Sequence, residues 1–266
     1  MQKAEKAWAD SALSYENVTR SFSAKGKPDL VAIADVSFEV RPKEFVSIVG
    51  PSGCGKSTIL NMTAGLDEPS AGTVRVSGRK VTGPNPHVGF MLQKDLLLPW
   101  RSIIRNIEFG LETRPGSAGE RRARATSELE RCKLAGFADH YPHQLSGGMR
   151  QRAALARTLA ISPDIVLLDE PFSALDAQTK MLLQKSFGAT IAASGVTTLL
   201  ITHDLVEAVA MSDRILVMSE RPGTIIAEIT VDLPDRDNPM ARRTLPGAGA
   251  YVAHMLDLLK LEERAA

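Results

Sequence analysis

Four short, mostly apolar runs punctuate the chain at residues 45–49, 88–92, 165–168 and 198–201. They are near-continuous rather than alternating, the pattern of strands buried on both faces of a parallel sheet. Stretches of helical spacing stand at 56–64, 148–160, 177–193 and 205–211. Strand alternating with helix predicts an α/β sheet whose ligands bind at the carboxyl ends of the strands. Outside that core, residues 15–22, 32–40 and 73–76 read as antiparallel strands. Between Ser102 and Phe137 the text turns helical and Arg-rich (Glu120-Arg121-Arg122-Ala123-Arg124), then breaks at Tyr141-Pro142. This segment reads as a helical subdomain inserted at about 102–160, its arginines forming a solvated helix face. After Asp232 a Pro-, Arg- and Gly-rich stretch leads to one amphipathic helix, expected over 250–261.

Composition narrows the setting. The 266 residues supply ample core, and 32 Lys+Arg against 31 Asp+Glu leave a net charge of +1. Such a balance steers the chain toward neither nucleic acid nor an anionic membrane. Two cysteines, Cys54 and Cys132, make no disulfide framework and fit a reduced, cytosolic protein. No run approaches the roughly 18 apolar residues of a membrane helix. Met1–Lys6 has no apolar core after its charges, so no secretory signal is read there. A soluble chain is expected.

The candidate chemistry lies at the ends of the predicted strands. Gly50-Pro51-Ser52-Gly53-Cys54-Gly55-Lys56-Ser57-Thr58 fits the phosphate-cradling loop G-x-x-x-x-G-K-[ST] between a strand and a helix. Glycines there let backbone N–H groups converge on phosphate oxygens at a helix N-terminus. Lys56 would reach the β- and γ-phosphates and Ser57 would ligate Mg²⁺. Cys54, beside Lys56 and that helix start, is expected to favour the thiolate. Asp169 ends an apolar strand and should hold Mg²⁺ through water, while Glu170 is placed to orient and deprotonate the attacking water. Ser146-Gly147-Gly148 offers a hydroxyl cap and free backbone at a further helix start.

With Leu145-Ser146-Gly147-Gly148-Met149-Arg150-Gln151-Arg152 standing between the phosphate loop and the acid-ended strand, the chain resembles the ATP-binding subunit of ABC transporters from about Leu13 to Val231. The resemblance implies a P-loop NTPase core sheet with an antiparallel β subdomain and an inserted α-helical subdomain, over residues 13–232, followed by a tail at 233–266. It also implies that Ser146, Gly147 and Gly148 bind the γ-phosphate of ATP held by a second copy. The position after those glycines, often Gln in the family, is Met149 here. Ser173-Ala174-Leu175-Asp176 matches the D-loop. Gln93 matches the Q-loop, a Mg²⁺ and water contact, and His203 the switch histidine on the γ-phosphate. Phe22 matches the aromatic that stacks on adenine, with Tyr15 a nearby competitor. His87, His140, His143 and His254 are left as surface or structural residues.

The function so implied is ATP hydrolysis driving transport. It calls for a homodimer with ATP at its interface, separate integral-membrane permease subunits, a periplasmic solute-binding protein, a place on the cytoplasmic face of the inner membrane, and no nucleic-acid partner. Leu96-Leu97-Leu98-Pro99-Trp100 and Glu220-Arg221-Pro222-Gly223, running on to Val231–Pro234, resemble the nitrate/sulfonate/taurine importer branch. In the family, Pro99-Trp100 lies where the permease docks, and an exposed groove at Leu98, Pro99 and Trp100 is expected. The alternatives are an exporter subunit and a soluble ABC ATPase acting on nucleic acid or the ribosome. Soluble relatives usually carry two cassettes, a coiled-coil insertion or zinc-binding cysteines, none of which is found in this sequence.

Overall fold

The computed structural model describes residues 11–23, 26 and 29–259. Two sheets organise it. An antiparallel sheet runs in the order β2-β1-β4-β5, from β1 (Leu13–Phe22), β2 (Leu30–Val40), β4 (Ala71–Val76) and β5 (Arg79–Lys80). The second sheet runs β10-β9-β3-β8-β7-β6, from β3 (Phe45–Val49), β6 (Val88–Met91), β7 (Ile165–Asp169), β8 (Thr197–Ile201), β9 (Arg214–Met218) and β10 (Ile225–Thr230). Its strands are parallel except for the antiparallel edge β10.

β9 and β10 extend the sheet beyond the four strands read from the sequence. Arg214 opens β9, but every residue of that strand is buried, so it belongs to the same class of run as β3 and β8. At the edge, β10 alternates partly buried and exposed positions along most of its length, the signature of a one-sided strand.

Period-2 geometry sends neighbouring strand residues to opposite faces. Val166, Leu168 and Leu200 join one core with Ile103, Ile107, Leu129, Phe172 and Phe187. Ile165, Leu167, Leu199 and Ile201 face the other, packing with Tyr15, Ile33, Val36 and Ile59. The first core carries the helices inserted between β6 and β7: α2 (Ile103–Glu108), α3 (Ala118–Arg131) and α4 (Gly147–Ala160). The second carries α1 (Lys56–Ala64). In α3 a capping box joins Ser117 and Glu120.

The Arg run is more than a solvated face. Arg124 ties down the C-terminal carbonyls of α4, donating to Leu159 O and Ala160 O at 3.2 Å. It also pairs with the fully buried Glu128.

Beyond β7 come α5 (Ala177–Ser194) and α6 (Leu205–Met211), and beyond β10 the short α7 (Pro239–Arg242) and α8 (Ala248–Leu258). The helix expected over 250–261 is α8, with its last two positions outside the described residues. The expected reading of Met1–Lys6 also lies outside them. The C-terminal stretch is docked through a third apolar cluster that joins Met255 and Leu259 to Val209, Val217 and Ile229. Arg242, 1% exposed, pins it by donating to the carbonyls of Ala210, Ser212, Val231 and Leu233. Among the described residues no helix is long and apolar enough to cross a membrane.

Candidate active site

Strand order explains why distant residues meet. Along the carboxyl edge, β9, β3, β8, β7 and β6 stand side by side. The loops that leave them carry Arg221, residues 50–55, His203, Glu170 and Gln93 in that spatial order. Asp169 is in register with Ile201, and the Glu170 N–H donates to Ile201 O at 3.0 Å. Glu170 and the turn to His203 therefore leave their strands at one level.

The loop between β3 and α1 needs its glycines. Gly55 has φ +103°, and a Cβ there would stand 2.4 Å from Ile33 Cγ2. Lys56 folds back over this loop, its ammonium donating to Gly50 O at 2.7 Å and Pro51 O at 2.9 Å. Cys54 contradicts the thiolate expectation. It is 1% exposed, and burial pushes its thiol up from the ordinary value, outweighing the opposing charge of Lys56. A nearby cation lowers a thiol only where the thiolate remains solvated enough to exist.

At the end of β7, burial is the main cause that pushes the Asp169 carboxyl up, followed by the charge of Glu170. Lys56 and a hydrogen bond from Ser57 act against it. Ser57 and Asp169 thus present two hard oxygen donors side by side, a pair suited to Mg²⁺ when phosphate and water supply its other ligands. Among the described residues no group of three or more His, Cys, Asp or Glu could hold a metal ion.

Glu170 has φ +46°, a left-handed conformation costly for a side chain with a Cβ. Its Oε2 lies 3.0 Å from His203 Nδ1. Gln93 donates to Ser173 Oγ at 3.0 Å, and Ser173 Oγ donates to Glu170 O at 2.9 Å. On the other side, Gln151 of α4 donates to Gln93 O at 3.2 Å. Gln93 is therefore a link between the Glu170 turn and α4. Its hydrogen bonds run to Ser173 and Gln151.

A cleft of about 280 Å³ gathers Phe22, Ser52, Gly53, Gly55, Lys56, Ser57, Thr58, Glu170 and Arg221. The aromatic alternatives separate here. Tyr15 is core, stacked on Phe38 at 4.7 Å with its hydroxyl donating to Ile59 O, whereas Phe22 is 40% exposed at the cleft. A larger cavity of about 690 Å³ opens where β7 and β8 begin, away from these residues. Size does not mark the chemistry in this molecule.

Ser146, Gly147, Gly148 and Asp176 are absent from the lining of the cleft. Ser146 caps α4, accepting from Met149 N at 3.3 Å, and a Cβ on Gly148 would stand 3.1 Å from Thr179 Cγ2. Asp176 caps α5 by accepting from Thr179 N at 3.0 Å, and that backbone bond holds its carboxyl below the ordinary value. Sequence reasoning assigned no role to Ser173, Gln151 or Arg221. All three stand inside motifs already singled out, so position within a motif was the available signal.

Comparison with known proteins finds relatives of this chain. The ABC transporter family model matches residues 33–173. An uncharacterized ABC transporter ATP-binding protein of Methanocaldococcus jannaschii is 42% identical, covering 94% of this chain and 92% of its own length. A nitrate import ATP-binding protein of Synechocystis is 42% identical over 86% of each chain. A taurine import ATP-binding protein of Yersinia pestis is 43% identical over 80% of this chain and 82% of its own. Among solved structures, an ATP-binding cassette in a dimeric post-hydrolysis state bound to ADP and Pi aligns with a TM-score of 0.71 and 34% identity. That alignment covers 82% of this chain and 98% of the cassette.

Proposed function

The chain belongs to the family of ABC transporter ATP-binding subunits and is an ATPase, and from that premise we propose that its ATP hydrolysis drives import of a small anion of the nitrate, sulfonate or taurine type. The observation that carries the nucleotide reading is the cleft in which Phe22, the phosphate loop and Glu170 face one space. Adenine stacks on Phe22. The residue 50–58 loop and Lys56 hold the phosphates, and Ser57 and Asp169 would hold Mg²⁺. When bound, that ion neutralises phosphate charge.

Water attacks the γ-phosphorus as the bond to the β–γ bridging oxygen breaks, releasing ADP and inorganic phosphate. Glu170 takes the proton of the attacking water, and His203 orients the Glu170 carboxylate through the 3.0 Å contact. Gln93 relays the state of that turn to α4 through Gln151.

Ser146, Gly147 and Gly148 complete the site of a second copy, with Asp176 at the same junction, so two chains sandwich two ATP molecules. Residues 13–232 form the cassette, and residues 233–266 are a tail appended to it. Its partners are permease subunits and a periplasmic solute-binding protein, and its place is the cytoplasmic face of the inner membrane. The names of the nitrate and taurine relatives support the branch. Permease docking is assigned to the surface at Leu98, Pro99 and Trp100, where Trp100 is 72% exposed.

Trp100→Ala tests it. Aromatic anchors commonly carry about 2 kcal/mol or more, so permease co-purified from membranes should fall roughly thirtyfold in affinity while ATP binding is spared. Unchanged recovery of the permease would place docking elsewhere. Uptake of labelled nitrate, taurine and an alkanesulfonate that persists in cells lacking the chain would exclude the anion reading.

A further inference from the structure

Residues 219–223, the turn leaving β9, lie against the phosphate loop, yet nothing in the hydrolytic scheme uses them. We propose that Arg221 is a positioning residue of the phosphate cradle, holding the loop in its binding shape through the Gly53 carbonyl. This rests on the reading of the cleft as the ATP site. Arg221 donates from both Nε and Nη2 to Gly53 O, at 2.9 and 2.6 Å. A Cβ on Gly53 would stand 3.2 Å from Nη2, so the guanidinium lies directly against this glycine, whose φ is +76°.

A peptide plane is rigid, so fixing the Gly53 carbonyl also fixes the direction of the Cys54 N–H behind it. That N–H makes a 3.4 Å bond back to Pro51 O. The loop is thereby braced across its own width, from Arg221 through one peptide unit to Pro51, whose carbonyl also accepts from Lys56.

The arginine is itself firmly mounted. Ser219 and Thr224 close the turn, with Ser219 N donating to Thr224 O at 3.0 Å and Thr224 N donating to Ser219 Oγ at 3.0 Å. Gly223 N donates to Ala32 O at 2.9 Å, and Ala34 N donates to Gly223 O at 3.0 Å, tying the turn to β2. A Cβ on Gly223 would meet Cys54 O at 1.9 Å, so the turn touches the loop backbone to backbone. Arg221 also lines the same cleft as Lys56 and Phe22. A forked guanidinium on one carbonyl is a geometry that an ammonium reproduces only in part.

The consequence concerns affinity more than chemistry, because the contact ends on the loop rather than beside Glu170. Isothermal titration of the full chain with MgATP and MgADP, together with steady-state ATPase kinetics, tests this on wild type, Arg221→Ala and Arg221→Lys. Arg221→Ala should weaken both nucleotides by about tenfold, the scale of a lost hydrogen bond to a charged group. Most of the effect should fall in KM rather than kcat, and Arg221→Lys should recover part of it. A general loss of structure would move neither that split nor the lysine rescue.

Equal nucleotide affinity in Arg221→Ala and wild type would overturn the assignment, as would a fall in kcat with KM unchanged. Lys56→Ala run alongside separates the two readings. If it also binds nucleotide normally, the cleft itself has been misread; if it alone loses affinity, only the role of Arg221 falls.

Discussion

The phosphate loop and the start of α4 are both glycine-bearing helix beginnings, yet the molecule treats them differently. The loop is braced, with Lys56 folded against Gly50 and Pro51, Arg221 clamped on Gly53, Asp169 bonded to Ser57, and Glu170 across the cleft. Ser146 at the other end holds only its own helix, accepting from Met149 N, and no residue from 146 to 148 lines the cleft. One end opens on a cleft that also holds Glu170; the other does not. A single chain therefore presents two unlike helix starts, and on the proposed function a second copy would supply to each what it lacks.

The largest expected effect falls on the first half. Glu170→Gln keeps the shape of the side chain but removes the base, so turnover should drop about 10²–10⁴-fold while MgATP affinity is retained. ATPase rates set beside titration calorimetry check the split. Lys56→Ala should act on binding itself, weakening MgATP by about 10–100-fold through loss of a charged donor. Unchanged affinity there would end the assignment of the loop.

Ser146→Ala sharpens the contrast. The isolated chain should bind MgATP as wild type does, because Ser146 is not in its cleft, while turnover falls about tenfold as one donor to the partner's nucleotide is lost. Removing the helix cap should also cost about 1 kcal/mol in thermal unfolding. A loss of affinity in the monomer would show that the two halves are not separate.

Much of this was legible in the chain. The buried strands were readable because they are apolar on both faces, and Lys56–Ala64 and Leu205–Met211 because of their helical spacing. Strand order was not readable. Nothing in the text says that β9 and β3 are neighbours, so Arg221 stood as a residue of a motif without a partner. The charge state of Cys54 was misread for a related reason. Proximity to Lys56 is visible in sequence, but burial to 1% is a property of the packed loop. The Gln93–Ser173–Glu170 link needed β6 beside β7, and the place of Tyr15 in the core needed its stacking on Phe38.

The central claim is that the two unlike halves belong to two copies. Sedimentation velocity of Glu170→Gln with MgATP, at high protein and nucleotide concentration and in complex with the proposed permease where the free affinity is low, tests it most directly. The account predicts that ATP draws the cassettes into a dimer, that ADP does not, and that adding Ser146→Ala to the same chain weakens the dimer. Cassettes that stay apart with ATP bound to every loop would contradict it.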